Sequence, residues 1–176
     1  TPIEDNGPVV IHLGASCEGY TAKMCRTVFL GNPKPESLRI YEALKGAQQA
    51  AVKALRPGVT CGEVYAKAAA YIAGQGYEKS WVMEHIGYGV GIRQSEFYPI
   101  ISKDSPTILR ENMVVDLLLP TIFIPGAGGP RITDTILIGK RGVEFLTEFP
   151  ADPMPGKAAL CNLSTQETTV YKEEYL

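Results

Sequence analysis

The sequence has little of what marks zinc fingers, disulfide frameworks, membrane spans or nucleic-acid binding. Its 176 residues include only four cysteines, and no two have Cys-x-x-Cys spacing, which indicates neither a zinc site nor a disulfide framework. No apolar run approaches the ~20 residues that span a bilayer, and no signal peptide is visible. A net charge of −2 gives no electrostatic reason to expect nucleic acid or an anionic membrane as a partner. We therefore expect a cytoplasmic or nuclear protein. Its expected reduced and mostly buried thiols are Cys17, Cys25, Cys61 and Cys161.

The remaining composition is that of an ordinary globular protein, with 45% hydrophobic and 20% charged residues. This composition and the chain length predict one domain with a single core. We place that domain in residues 1–150. The last segment, residues 151–176, is rich in Pro, Thr and Glu, so we expect it to be an arm or a partly disordered tail.

The most unusual stretch of the chain is EHIGYGVGIRQSEFYP, residues 84–99. Its three glycines alternate with larger residues in what we take as one extended segment, and glycine inside a strand often marks the close approach of another group. His85 opens the stretch, Glu96 nearly closes it, and the chain has only two histidines. The stretch predicts either the floor of a polar pocket or a tightly packed central strand without a ligand.

Hydrophobic patterns predict strands and two helices around this stretch. An apolar stripe favours a helix over residues 38–56, with Pro35 in its first turn. Thr60-Cys61-Gly62-Glu63 matches a capping box, which predicts a second helix that runs to Gly76. Strands are expected at residues 9–11, in both halves of 12–30, and at 113–119, 131–138 and 143–149.

The order of these pieces resembles the pita-bread fold of methionine aminopeptidase, prolidase and creatinase. The motifs that carry the resemblance are HLGASCEGYTAKMCRTVF, LRPGVTCGEVY, EHIGYGVGI, ENMVVDLLLP and PRITDTILI. The resemblance covers residues 9–150 and implies an α+β fold, in which helices cover a curved antiparallel sheet and the first part of the domain is lacking. It implies less about activity, because function depends on the site.

The metal-dependent members of this family carry five metal ligands, and the resemblance implies that this chain keeps none of them. The family's two Asp, one His and two Glu fall, in chain order, on His12, Lys23, Tyr88, Leu118 or Leu119, and Thr133. An ammonium group at Lys23 repels a dication and offers it no lone pair. We therefore expect no metal ion, no other cofactor and no dinuclear metallopeptidase.

Six residues could form a retained polar pocket. His85 and Glu96 are the candidates for metal-free acid–base catalysis. The candidate ligand-binding residues are His12, Tyr88, Arg131 and Asp134. The alternative is structural: Arg131 and Asp134 pair with each other or with nearby groups as scaffold, Glu96 lies at a solvated strand end, and His12 is a hydrogen-bonded strand residue.

Two functional classes are compatible with this pattern. The first is a metal-free pseudo-peptidase that acts as a binding or assembly module in a larger particle, similar to the peptidase-like domain of the FACT histone chaperone's large subunit. Its ligand would be a peptide or a small molecule. The second is a metal-independent hydrolase of a C–N bond, similar to creatinase, whose form the segment PGAGG resembles. The catalytic histidine of such an enzyme would lie on the upstream part.

Two apolar segments predict assembly with another chain. Apart from Asp116, an exception in an otherwise apolar run, the segments Val9-Val10-Ile11 and Met113 to Leu119 lack the charges and prolines that normally protect an exposed sheet edge. We therefore expect a second polypeptide, or a second copy of this chain, to complete the sheet.

Overall fold

One sheet with two helices organises the computed structural model, which describes residues 6–81, 84–119 and 122–156. The strands follow the order β1-β2-β6-β5-β3-β4, with β7 beside β6 and β8 beside β2. The elements are β1 Gly7–Cys17, β2 Tyr20–Leu30, α1 Pro35–Ala54, α2 Cys61–Gly74, β3 His85–Gly89, β4 Glu96–Ser102, β5 Val114–Leu119, β6 Ile132–Ile138, β7 Val143–Phe145 and β8 Met154–Gly156. The pairings are antiparallel except that of β8 with β2, which confirms the predicted α+β class.

The first two strands form the predicted hairpin. Their register runs without a shift from Gly7 opposite Leu30 to Cys17 opposite Tyr20. Glu18 and Gly19 connect them, and both have positive φ angles, 49° and 88°, as the tight turns of hairpins require. The first strand begins at Gly7, two residues earlier than the sequence pattern indicates.

Both predicted helices are present, and each ends two residues before its expected end. The first begins at Pro35, where the absent N–H of proline costs no hydrogen bond, and Leu55 then turns to an extended conformation. The capping box of the second is confirmed, because the Thr60 hydroxyl accepts from the Glu63 backbone N–H and the Glu63 carboxylate accepts from the Thr60 N–H.

The glycine-rich stretch is a hairpin, so the expectation of one extended segment is wrong. β3 and β4 pair antiparallel, and Gly91 lies in the connection between them. Of the two alternatives for this stretch, the central and tightly packed position is observed, since β3 lies between β4 and β5. A Cβ atom at Gly87 would collide with the backbone oxygen of Asp116.

Both apolar segments were expected at exposed sheet edges, and this is wrong for one of them. Met113 to Leu119 is not an edge, because β5 pairs with β3 on one side and with β6 on the other. Val9 to Ile11 does lie at an edge, since β1 pairs only with β2 in the part of the chain that the structure describes.

The end of the described chain adds a short strand rather than leaving the sheet at Pro150. Met154 to Gly156 runs parallel to Val28–Leu30. The rest of the expected tail, residues 157–176 with Cys161, lies outside the described residues. Of the other cysteines, Cys25 and Cys61 are buried thiols and Cys17 is exposed. None of the described helices is long and apolar enough to cross a membrane.

Candidate functional site

The register of the sheet divides its polar residues between two faces. Cys25 lies opposite both His12 and Thr133 on its two neighbouring strands, and Thr133 lies opposite Leu118. Directly opposed residues point to the same side, so these four form a row on one face. Asp134, the next residue of β6, contacts Gln48 of α1 instead. We call the face that carries the His12 row the distal face, because it is turned away from α1.

A buried ion pair lies on the distal face beside this row. Lys23 Nζ is 2.6 Å from Asp116 Oδ2, and the two side chains are 6% and 0% exposed. The Tyr88 backbone N–H donates to Asp116 Oδ1 at 2.6 Å. Burial raises the pKa of Asp116, and the Lys23 ammonium and the Tyr88 amide oppose that rise. The charge of this carboxylate is therefore stabilised from both sides.

The same ammonium also holds the connection between β3 and β4. Lys23 Nζ donates to Ser95 Oγ at 2.6 Å, and the Thr21 N–H and hydroxyl both donate to the Gly91 carbonyl, at 2.8 and 3.0 Å. The segment from Gly91 to Ser95 is thus attached at both ends to β2, next to the ion pair.

Two threonine hydroxyls position the backbones of Lys23 and Arg131. β2 and β6 pair at Cys25 and Thr133. On one side of that pair, the Thr135 hydroxyl accepts from the Lys23 N–H at 3.0 Å and donates to the Lys23 carbonyl at 2.8 Å. On the other side, the Thr27 hydroxyl accepts from the Arg131 N–H at 2.9 Å and donates to its carbonyl at 2.8 Å. Each hydroxyl thus serves the N–H and the carbonyl of one residue, which in a regular sheet would bond to backbone groups of the neighbouring strand.

His12 and Arg131 lie close together on the distal face. Partial desolvation lowers the pKa of His12, and the positive charges of Arg131 and Lys23 lower it further. Burial raises the pKa of Cys25, while Arg131 acts in the opposite direction. Two polar atoms here are buried without a hydrogen-bond partner, Arg131 Nε and Thr133 Oγ1.

Asp134 belongs to the opposite face, and its partner is Arg26 rather than Arg131. Its Oδ1 accepts from Arg26 Nη2 at 2.6 Å and from the Thr147 hydroxyl at 2.7 Å, and its Oδ2 accepts from Gln48 at 2.9 Å. The idea that Asp134 pairs with a nearby group as scaffold is therefore correct, whereas its pairing with Arg131 is wrong. Arg131 immediately precedes β6 and Asp134 lies within it, three positions on, and in extended backbone side chains three positions apart point to opposite faces.

The two catalytic candidates lie at opposite ends of the β3–β4 pairing. His85 is opposite Ser102, and Glu96 is opposite Gly89, so about four residues of strand, roughly 13 Å, separate them. The His85 ring packs against the Tyr88 ring with centroids 5.0 Å apart. Glu96 accepts from the Arg93 backbone N–H at 2.9 Å. The structure does not bring His85 and Glu96 together as an acid–base pair.

Sequence reasoning missed the partner of Lys23. It treated Asp116 only as an exception in an apolar strand, although a carboxylate in such a run needs a cation or several donors when it is buried. The signal that could have found the pair was the single acid of one apolar strand, Asp116, together with the bases Lys23 and Arg26 of another. Ser95 carried no signal of its own.

The residues of the distal face do not fit a pair of divalent metal ions. The five positions that the family resemblance assigns to ligands hold one imidazole, one ammonium, one phenol, one aliphatic side chain and one hydroxyl, whereas hard dications need several carboxylates. The ammonium is fixed beside Asp116. In the described ranges, no group of three His, Cys, Asp or Glu side chains is placed to hold a metal.

Comparison with known proteins extends over most of the chain. The sequence pattern of metallopeptidase family M24 matches residues 1–140. A Xaa-Pro dipeptidase of Pyrococcus horikoshii is 40% identical over 146 residues, which are 83% of this chain and 41% of that protein. The chain therefore spans about two fifths of the length of such relatives.

Solved structures of other proteins also match most of this chain and less than half of their own length. A prolidase from Pyrococcus horikoshii superposes with a TM-score of 0.80 at 39% identity, over 85% of this chain and 42% of that one. The dipeptidase PepE from Mycobacterium ulcerans gives 0.82 at 32% identity, over 88% and 41%. The N-terminal domain of the FACT complex subunit SPT16 from chickpea gives 0.70 at 24% identity, over 77% and 34%, a likeness of fold alone. With its pita-bread fold, the chain belongs to metallopeptidase family M24.

Proposed function

We propose that this domain is a metal-free pseudo-peptidase, which acts as a binding or assembly module in a larger particle. Its distal face binds a peptide or a small molecule without cleaving it. The observation that carries the proposal is the buried ion pair of Lys23 and Asp116, 2.6 Å apart, at the place where the family resemblance implies two catalytic metal ions.

Electrostatics supports this reading of the ion pair. A fixed ammonium within a few ångströms of a dication repels it by several kcal/mol at the effective dielectric constant of a protein site, about 20. Lys23 cannot move away cheaply, because its departure would leave the Asp116 carboxylate buried and unpaired. The ammonium of Lys23 therefore takes the position of a metal ion beside Asp116 and disfavours a dication there.

The contact between Lys23 and Ser95 does not make a nucleophile and base. Their 2.6 Å separation is within the range for such a pair. A general base must first lose its proton, however, and the Asp116 carboxylate stabilises the charged ammonium at 2.6 Å. The contact anchors the segment from Gly91 to Ser95 and leaves Ser95 unactivated.

The exposed first strand supports a role in assembly. Residues 10–17 of β1 are exposed on both sides of the strand, and Ile11 and Leu13 are 42% and 51% exposed. An apolar edge strand readily pairs with a strand of another chain. Light scattering at micromolar concentration is expected to show a second polypeptide or a second copy bound, and a stable 19.1 kDa monomer would contradict this part of the proposal.

A metal-independent hydrolase is the second candidate. The identity to proteins named Xaa-Pro dipeptidase favours hydrolysis, and the resemblance of the segment PGAGG to creatinase favours the metal-independent form. An assay on Met- and Xaa-Pro peptides separates the two functions. We expect no turnover above the buffer rate, with added manganese or cobalt or with a chelator. A Pyrococcus horikoshii Xaa-Pro dipeptidase, run alongside, shows that the assay works.

The possible outcomes of this assay assign the function. Metal-dependent turnover would overturn the proposal. Turnover that persists in chelator and disappears in His85→Ala or Glu96→Gln, but not in the exposed control Glu144→Gln, would establish the metal-independent hydrolase instead.

A further inference from the structure

Among the residues that the structure describes, three buried polar atoms on the distal face have no hydrogen-bond partner. One is the acceptor Asp116 Oδ2, which already faces the Lys23 ammonium at 2.6 Å, and the other two have no charged partner. These two are the guanidinium Nε of Arg131 and the hydroxyl Oγ1 of Thr133, and Thr133 is 0% exposed. Buried donors without partners are rare in folded proteins, because desolvation is not offset. Both atoms can donate a hydrogen bond, so what they lack in common is an acceptor.

The two donors belong to one part of the distal face. They are two residues apart, with Arg131 immediately before β6 and Thr133 within it, so in extended backbone their side chains emerge on the same side. Thr27 fixes the Arg131 backbone through two hydrogen bonds. The Arg131 charge affects both His12 and Cys25, which stand in the row that contains Thr133. His12 is exposed and marks the side from which a ligand can enter.

The charges of this region leave one cation without a counterion. Lys23 and Asp116 neutralise each other. Among the described residues, Arg131 forms no ion pair with a carboxylate, and the Asp nearest to it in sequence is held by Arg26. The local surplus of one positive charge favours an anion.

We infer that the distal face binds a carboxylate group of its ligand through the guanidinium of Arg131 and the hydroxyl of Thr133. A guanidinium presents parallel N–H donors that match the two oxygens of a carboxylate. A single uncompensated positive charge suits a monoanion better than a phosphate group, which carries a charge of about −1.5 to −2 at neutral pH. The expected ligand class is a peptide with a free C-terminus or a small carboxylic acid. The inference rests on the proposed function, since it names the ligand chemistry of the same site.

The test measures binding of matched small ligands by NMR titration of the full chain. The probes are sodium acetate and N-acetyl-alanyl-alanine, with N-acetyl-alanyl-alanine amide as the analogue that lacks the carboxylate. Inorganic phosphate forms a separate arm. We expect both carboxylates to bind at one site that includes the Thr133 amide, and the amide analogue and phosphate to bind at least about tenfold more weakly.

Variants show whether these residues form the site. Arg131→Gln is expected to weaken carboxylate binding at least about tenfold. Arg131→Lys is expected to weaken it less, because the positive charge remains while the parallel N–H donors of the guanidinium are lost. The control Arg141→Gln makes the same change at an exposed position and is expected to leave binding unchanged. If Arg131→Gln fails to fold, Arg131→Lys and the ligand comparison on the unmodified chain still decide the question.

Thr133→Val separates a binding role from a structural one. Removal of an unpaired buried hydroxyl is expected to leave the ligand-free protein equally or more stable, while carboxylate binding weakens. A destabilised variant with unchanged binding would overturn the role of Thr133. Equal binding of acid and amide, or binding insensitive to Arg131, would overturn the inference as a whole.

This result is distinguishable from a failure of the proposed function. Carboxylate binding together with peptide hydrolysis would contradict the pseudo-peptidase and leave the carboxylate site intact. Absence of binding together with absence of hydrolysis would contradict the carboxylate site alone.

Discussion

Lys23 Nζ lies 2.6 Å from Asp116 Oδ2, and both side chains are almost completely removed from water. Two buried charges remain in a fold only when their mutual attraction and their other hydrogen bonds offset the desolvation. Here Ser95 accepts from the ammonium and the Tyr88 amide donates to the carboxylate. The pair therefore depends on three strands and the β3–β4 connection at once.

Removal of one partner should be far more harmful than removal of both. We predict that Lys23→Met destabilises the protein by about 3–5 kcal/mol, because it leaves the Asp116 carboxylate unpaired in the interior. The double variant Lys23→Met/Asp116→Leu should recover most of that loss. Urea unfolding measures both, with Lys67→Met as a control at an exposed position. A single variant as stable as the control would show that the pair does not hold the distal face together.

The hydrogen bonds from the Thr135 and Thr27 hydroxyls to the backbone of the neighbouring segment give a test with an internal control. Thr135→Val removes a hydroxyl that serves both the N–H and the carbonyl of Lys23, so we expect a cost of about 1–3 kcal/mol for the unpaired backbone groups. Thr27→Val should cost a similar amount through Arg131. Thr133→Val is the matched control, because this hydroxyl is equally buried and has no partner. Equal unfolding free energies for all three variants would refute the bridging role.

Gly89 tests the close packing of the glycine strand. A Cβ atom there would collide with the backbone carbonyl of Tyr98 and with Pro99, and backbone atoms cannot yield as a flexible side chain can. We predict that Gly89→Ala costs about 1–3 kcal/mol or more, measured as a lower midpoint of urea unfolding. Gly74→Ala, where nothing lies within 4 Å, should be neutral or slightly stabilising. If Gly89→Ala matches that control, the β3–β4 packing described above is wrong.

His12 should make stability depend on pH in a defined direction. Its pKa in the folded protein lies below the ordinary value of 6.5, so the unfolded chain binds the proton more tightly. The stability that His12 contributes is therefore full above the ordinary value and is lost as the pH falls through 6.5 toward the folded pKa. Unfolding free energies of the unmodified chain and of His12→Gln, from about pH 8 to about pH 5, should diverge toward acid. Parallel curves would mean that neither burial nor the charges of Arg131 and Lys23 lower the pKa of His12.

The sequence allowed most of the fold to be predicted, because its signals are local. Each of these signals depends on residues that are neighbours in sequence. Examples are the turn before Tyr20 in the β1–β2 hairpin, the capping box at Thr60 and the apolar run that begins at Val114. The return of the chain between Gly91 and Ser95 was missed, since the alternation of small and large residues continues across the bend.

The site was harder to predict, because it depends on pairs that are distant in sequence. Nothing local links Lys23 to Asp116, and only the sheet register brings them together. The pairing of Arg131 with Asp134 could have been excluded in advance, since strand alternation places residues three apart on opposite faces. His85 and Glu96 were grouped by their nearness in sequence, but the hairpin separates them.

The metal content of the protein tests the central claim most directly. The chain is incubated with manganese, cobalt or zinc, freed of unbound ions by dialysis and measured by elemental analysis, with a metal-dependent member of family M24 treated in the same way. If the Lys23 ammonium takes the place of the metal ions, each metal should remain well below one ion per chain, while the family member retains its own. One or two ions bound per chain would contradict the account.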